Sequence, residues 1–373
     1  MLRSLKTSSM QLAQSAGLMR LLQRMDSTST NGLYVLAYHR VDHPEHRPWL
    51  DPGLISASPE QFAAQMALLA RWYNPVTLPQ VLAAVQGGPP LPPQAVLVTV
   101  DDGYRDFAEV IFPTASRQGI YPVLFVPTTC HENGVFWWDR IYQAINFAPA
   151  SELIITRAGA TSNPPAAAKP GPTVVFFHAP VEAPQKEPTP PDIRLSLKTP
   201  AEKRHAIKTI VNHFKGLPFA HARQEIERIY TELAPVIPQI ERSTLNWDEL
   251  RALARAGASI AAHTHTHPIL SRVSLEDAIF EIHTSQQMVQ EEIGTALPVF
   301  AFPDGKPQAY TAELVNFLST EGFKLVFTMV EGRAHLASGK ILLPRLAVWS
   351  NLTLAQFHWH LTPAYRGKAH NLA

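Results

Sequence analysis

Apolar positions along this chain switch repeatedly between the spacing of a buried strand and that of a one-sided helix. Tyr34–Tyr38 and Val96–Val100 are short, nearly unbroken apolar runs, which predicts buried strands. Between them Ser58-Pro59 offers an N-cap followed by an N1 proline. Phe62, Met66 and Leu69 then recur at helical spacing and predict a helix with one buried face. A second helix is expected over about 105–118 and a third strand over 122–126.

The alternation returns near Trp247, with a helix to Arg255 and Gly257 at its C′ position. A short strand follows at 259–262. Ser274-Leu-Glu-Asp277 then has the form that opens a helix, here running to about 292. Further strands are expected at 299–302, 324–329 and 341–346, and a helix at 311–320. Strands alternating with helices in both halves predict an α/β fold with parallel strands. Its simplest form is one barrel-like domain with an interruption.

The interruption is compositional. Nine prolines fall between Pro164 and Pro191, too many for a regular helix or a central strand, so about 158–191 reads as an irregular loop. Two helices are expected after it, at 201–215 and 222–233. The organisation expected is thus an N-terminal amphipathic segment over 1–30, barrel over 31–150, a Pro-rich and helical insertion over 151–245, and barrel again over 246–373.

Charge and cysteine content narrow the chemistry. Across 373 residues, 32 Lys and Arg nearly balance 31 Asp and Glu, without a basic run to follow a phosphate backbone, so no nucleic-acid partner is expected. Cys130 is the only cysteine, which excludes an internal disulfide and a cysteine-based zinc cluster; a metal would have to use His and Asp. No apolar run reaches the roughly 20 residues that span a bilayer. Residues 7–19 make a poor signal peptide, and Leu18, Leu21, Leu22 and Met25 share a helical face. The expectation is a cytoplasmic protein whose N-terminal helix docks on the domain or makes peripheral membrane contact.

The candidate chemistry lies at strand ends, where α/β barrels build their sites. Thr99-Val-Asp-Asp-Gly103 puts Asp101 and Asp102 directly after an apolar strand. Adjacent carboxylates repel unless a cation, proton or donor intervenes, which suits one to a metal and the other to acid–base work; a plain Asp-Gly turn is the alternative. His263-Thr-His-Thr-His267 follows another short strand, and its outer two imidazoles can chelate one cation if the backbone turns. His265 is expected to point away. Asp102, His263 and His267 would supply three ligands and leave a position open for water. Phe302-Pro-Asp-Gly305 is a tight turn whose backbone N–H groups at Asp304 or Gly305 could face a substrate oxygen. His39 ends the first strand, and Arg345 lies near a late one, where it would suit a carboxylate. Trp137 and Trp138 fit either sugar stacking or core packing.

These motifs resemble the polysaccharide deacetylases of carbohydrate esterase family 4. Thr99–Gly103 is similar to that family's Thr-Phe-Asp-Asp-Gly, and His263–His267 to its His-Ser/Thr-x-x-His. The resemblance implies a distorted (β/α) barrel with fewer than eight complete units. It implies Asp101 as general base, and Asp102, His263 and His267 as ligands of a divalent metal, zinc foremost, with cobalt, nickel and iron as alternatives. The family's arginine motif and late histidine motif have no match here. The early Tyr38-His39 resembles a branch with rearranged motif order, which makes His39 the acid and leaves Arg345 to stand in beside Asp101. The implied reaction is removal of an N-acetyl group from an amino sugar of a polysaccharide or lipid-linked sugar. Deformylation, O-deacetylation and a catalytically impaired carbohydrate binder are the competing readings.

Overall fold

In the computed structural model, which describes residues 32–129, 135–155, 193–237, 242–336, 341–362 and 365, the expected strands join one ten-stranded sheet. Its strands are β1 (Gly32–Tyr38), β4 (Asn74–Pro75), β5 (Ala95–Asp101), β6 (Val123–Val126), β9 (Ser259–Ala262), β10 (Val299–Ala301), β11 (Leu325–Phe327), β12 (Ala334–His335), β13 (Leu342–Leu343) and β14 (Leu346–Ala347). The order is β12-β1-β5-β6-β9-β10-β11-β13, with β14 on β1 and β4 on β5. Every pairing is parallel except that of β1 with β12. Two small ribbons lie outside it: β2 (Arg40–Val41) with β3 (Ile55–Ala57), and β7 (Glu152–Ile155) with β8 (Ile193–Ser196).

The single strand expected over 341–346 is two strands. β13 pairs with β11 while β14 pairs with β1, and only Pro344-Arg345 lies between them. Proline has no N–H to continue a ladder. The break carries the chain from one edge of the curled sheet to the other and nearly closes the barrel.

Parity along the strands decides what faces the interior. Tyr34, Leu36 and Tyr38 of β1 and Val96, Val98 and Val100 of β5 pack in the outer core under the helices. Their neighbours Leu33, Val35, Ala95 and Leu97 fill the barrel, together with Phe125, Ala261, Ala301 and Phe327. Because side chains alternate with period two, Thr99 and Asp101 share the inner face with Leu97. His263 likewise continues the parity of Ala261.

Helices cover the outer face, and their starts follow capping chemistry. Ser58 with Gln61 and Asn246 with Glu249 form capping boxes for Pro59–Trp72 and Trp247–Arg255. The continuous helix expected over 105–118 is instead a π-helical turn, Phe107–Ile111, followed by a short α-helix, Phe112–Ser116. Pro113 cannot donate to Glu109 and its ring would crowd that carbonyl; the wider turn relieves both conflicts.

Helices Trp137–Asn146, Pro200–Phe214 and Phe219–Leu233 bury Ile141, Ile145, Ile210 and Ile229 in a separate core beside β7 and β8. The proline-rich stretch and the N-terminal amphipathic segment lie outside the described residues. Among the described residues no helix is long and apolar enough to cross a membrane.

Candidate active site

The C-terminal ends of β1, β5, β9 and β10 open into one cavity of about 650 Å³. His39, Asp101, Asp102, His263, His267 and Asp304 all line it, although they come from separate parts of the sequence. Arg345 lies behind Asp101, and Gly305 is not on the cavity wall.

Asp101 points inward by strand parity and is 2% exposed. Arg345 meets it with a fork, Nη1 donating to Oδ1 and Nη2 to Oδ2, both at 2.8 Å. The guanidinium also donates to Thr99 Oγ1 and to the Thr328 carbonyl. Burial alone would raise the Asp101 carboxyl, but the Arg345 charge overrides it and holds the group down at about 2. Asp101 is therefore an anion throughout the neutral range.

Asp102 leaves the strand with φ 80°, followed by Gly103 at 73°. A Cβ on Gly103 would sit 3.2 Å from Val126 Cγ1 in a conformation that favours glycine. This turn sends the second carboxylate away from Arg345 and toward the histidines. Asp102 Oδ1 is 3.3 Å from His267 Nε2 and 3.7 Å from His263 Nε2. Burial pushes the Asp102 carboxyl up, while the hydrogen bond and charge of His267 outweigh it and leave it lowered.

His263 donates its Nδ1–H to the Ala301 carbonyl at 2.7 Å, which fixes the tautomer and leaves the Nε2 lone pair facing Asp102. Burial pushes its imidazole down to about 4, so it stays neutral near pH 7 despite the opposing charge of Asp101. His267 is reached through a sharp turn, with Thr264 at φ 70° and His267 at 61°. Glu281 holds this turn: its carboxylate accepts the N–H groups of His265 and Thr266 and the Thr266 hydroxyl. His265 points elsewhere, its Nδ1 2.8 Å from Thr128 Oγ1.

The ligand atoms of Asp102, His263 and His267 lie within 4.8 Å of one another, all three residues buried. One carboxylate and two imidazoles, one of them held neutral and oriented by a carbonyl, form a donor set that fits zinc or a similar divalent cation.

His39 is half-buried on the cavity wall, its backbone N–H donating to Ser56 Oγ. The Phe302–Gly305 turn departs from expectation at one atom. The Gly305 N–H donates to the Pro303 carbonyl at 2.7 Å and is therefore taken. Of the two residues proposed to face a substrate oxygen, Asp304 is the one on the cavity. Its carboxylate pairs with Lys215, the residue after helix Pro200–Phe214, so the helical insertion forms one wall of the site.

Sequence reasoning did not find Glu281, Tyr104, Asp139 or Asp51. Each acts through contacts from other segments and carries no local motif. Trp137 and Trp138 both line the cavity, and Trp138 also packs edge to face on the ring of His267.

Comparison with known proteins agrees with the histidine motif. Residues 221–331 match the family model described as polysaccharide deacetylase, a stretch that contains His263 and His267. An Escherichia coli poly-beta-1,6-N-acetyl-D-glucosamine N-deacetylase is 37% identical over 83 residues. Those residues are 22% of this chain and 12% of that protein, so the chain spans only a small part of its curated relative. In fold, the chain resembles the Streptococcus pyogenes deacetylase PplD in complex with acetate, with TM-score 0.54, 16% identity and coverage of 90% of this chain and all of that one. It also resembles a polysaccharide deacetylase from Bacillus cereus, with TM-score 0.51, 13% identity and coverage of 89% and 70%. Residues 221–331 thus match the polysaccharide deacetylase model across the histidine motif, and the chain's nearly closed barrel resembles the folds of these two structures.

Proposed function

We propose that this deacetylase-family chain is a metal-dependent hydrolase that removes N-acetyl groups from amino sugars of a polysaccharide or glycolipid, with N-acetylglucosamine polymers as the first substrates to test. The observation that carries this reading is the convergence of an arginine-held carboxylate and an Asp–His–His donor set on one cavity.

Asp102, His263 and His267 would hold the cation. When bound, it supplies Lewis acidity toward the acyl oxygen and makes a nearby water more acidic. Asp101 accepts the proton of the attacking water. A carboxyl held at about 2 is a weak base, so this role depends on that increased acidity; the Arg345 fork contributes orientation rather than basicity. Water oxygen bonds to the acyl carbon, the developing oxyanion is met by the N–H of Asp304, and the C–N bond breaks as His39 protonates the departing amine. Acetate and a free amino sugar leave.

The test is acetate release from β-linked N-acetylglucosamine oligomers and lipid-linked amino sugars, with formate measured in parallel. Asp101→Asn is expected to abolish turnover while retaining the cation, and His263→Ala to lose both. Full activity in Asp101→Asn would refute the base assignment. Formate in place of acetate would move the reading to deformylation.

A further inference from the structure

The two candidate histidine ligands are held by different means. His263 is oriented by its bond to the Ala301 carbonyl. His267 Nδ1, by contrast, is buried without a hydrogen-bond partner among the described residues. What meets its ring is an aromatic wall. Trp138 lies 4.7 Å away at 68° and Phe136 5.8 Å away at 71°, both edge to face, and these two side chains stack on each other at 4.4 Å.

The wall is itself fixed by buried polar contacts. Trp138 Nε1–H donates to Tyr104 Oη at 2.9 Å, and the Tyr104 hydroxyl donates to Asp139 Oδ2 at 2.6 Å. Asp139 Oδ1 accepts the backbone N–H of Asp51 at 2.9 Å. Trp138, Tyr104 and Asp139 are 7%, 1% and 0% exposed. Each donor in this series is out of water, so tilting the indole would strand a buried N–H, and the network resists that motion.

We propose that the Trp138–Tyr104–Asp139 series is a positioning device that sets the imidazole of His267 for cation binding by packing, in place of the hydrogen bond that serves His263. The inference rests on reading Asp102, His263 and His267 as the cation site. Tyr104 follows Asp102 by two residues, so one turn both presents a carboxylate ligand and braces a histidine ligand. Trp138 and Asp139 belong to helix Trp137–Asn146, which packs in the insertion core, and so the helical insertion is tied to the site.

The test uses the full chain with Tyr104→Phe and Trp138→Phe, which keep flat rings and remove the linking groups. Zinc affinity is measured by competition with a chromophoric chelator, and the cobalt(II) absorption spectrum reports ligand geometry. Both variants are expected to bind zinc about 10- to 100-fold more weakly with an altered cobalt band. Leu195→Ala, in the insertion core and away from His267, is expected to lower the melting temperature and leave affinity unchanged. Wild-type affinity in both aromatic variants would overturn the proposal, as would an equal loss in Leu195→Ala. If Tyr104→Phe does not fold, Trp138→Phe decides. A wild-type protein that binds no zinc, or a His263→Ala variant that binds it normally, would instead refute the cation site itself.

Discussion

Replacing Arg345 by methionine removes a guanidinium that makes four hydrogen bonds, two of them to Asp101. Both partners are almost wholly buried, Arg345 at 1% and Asp101 at 2% exposure, so solvent cannot compensate the carboxylate left behind. Breaking a buried pair from one side costs about 3–5 kcal/mol, and that loss is expected for Arg345→Met. Asp101→Asn should also destabilise, since it leaves the guanidinium facing an amide. The double variant Asp101→Asn/Arg345→Met removes both charges and should lose less than the sum of the singles, with a coupling of about 2 kcal/mol or more. Urea unfolding followed by circular dichroism measures all four proteins, with unchanged m-values as evidence that each unfolds from a comparable state. A loss below about 1 kcal/mol for Arg345→Met, or simple additivity, would show that the fork does not hold Asp101.

Four other outcomes follow from the same geometry. Burial pushes the Asp139 carboxyl up to about 7, so the folded chain keeps a proton that the unfolded chain, at 3.8, has released. This group's contribution is full below the unfolded value and is lost as pH rises through about 7. The wild-type urea midpoint should therefore fall more steeply than that of Asp139→Asn between about pH 4 and about pH 7, and parallel curves would count against it. Glu281→Ala strands the donors of His265 and Thr266 and should cost about 2–3 kcal/mol while speeding amide exchange over 264–267; unchanged exchange would contradict the clamp. In Gly305→Ala the new Cβ would lie 2.7 Å from the Met329 nitrogen at φ 55°, so a loss of about 1–3 kcal/mol is expected in the same unfolding assay. A chelator should stop acetate release and zinc should restore it in the wild type but not in His263→Ala; activity that survives the chelator would remove the metal from the mechanism.

Much of this was legible in one dimension because it is governed by local rules. Buried strands announced themselves as apolar runs, capped helices by Ser58-Pro59 and Ser274–Asp277, and the two motifs by polar residues crowded at strand ends. Strand parity even fixes that Asp101 faces inward. The sequence alone thus determined the α/β class and the family resemblance, and it picked out Asp101, Asp102, His263 and His267 as candidates that the fold brings to one cavity.

Other features depend on contacts between distant segments, which no local pattern encodes. Pro344-Arg345 crossing the barrel gap could not be separated from an ordinary strand, because it depends on where the neighbouring strands lie, whereas the widened turn before Pro113 had a local cause in that proline. Asp101 and Asp102 are neighbours of the same type, yet the first is gripped by Arg345 and the second faces two imidazoles, because the chain leaves the strand in a left-handed turn at Asp102. Glu281, Tyr104 and Asp139 became visible only in three dimensions, because each supports the site from a different part of the chain. Local chemistry selected the residues of the candidate site, while the nearly closed barrel and its docked insertion decided which charge, carbonyl or ring stands against each of them.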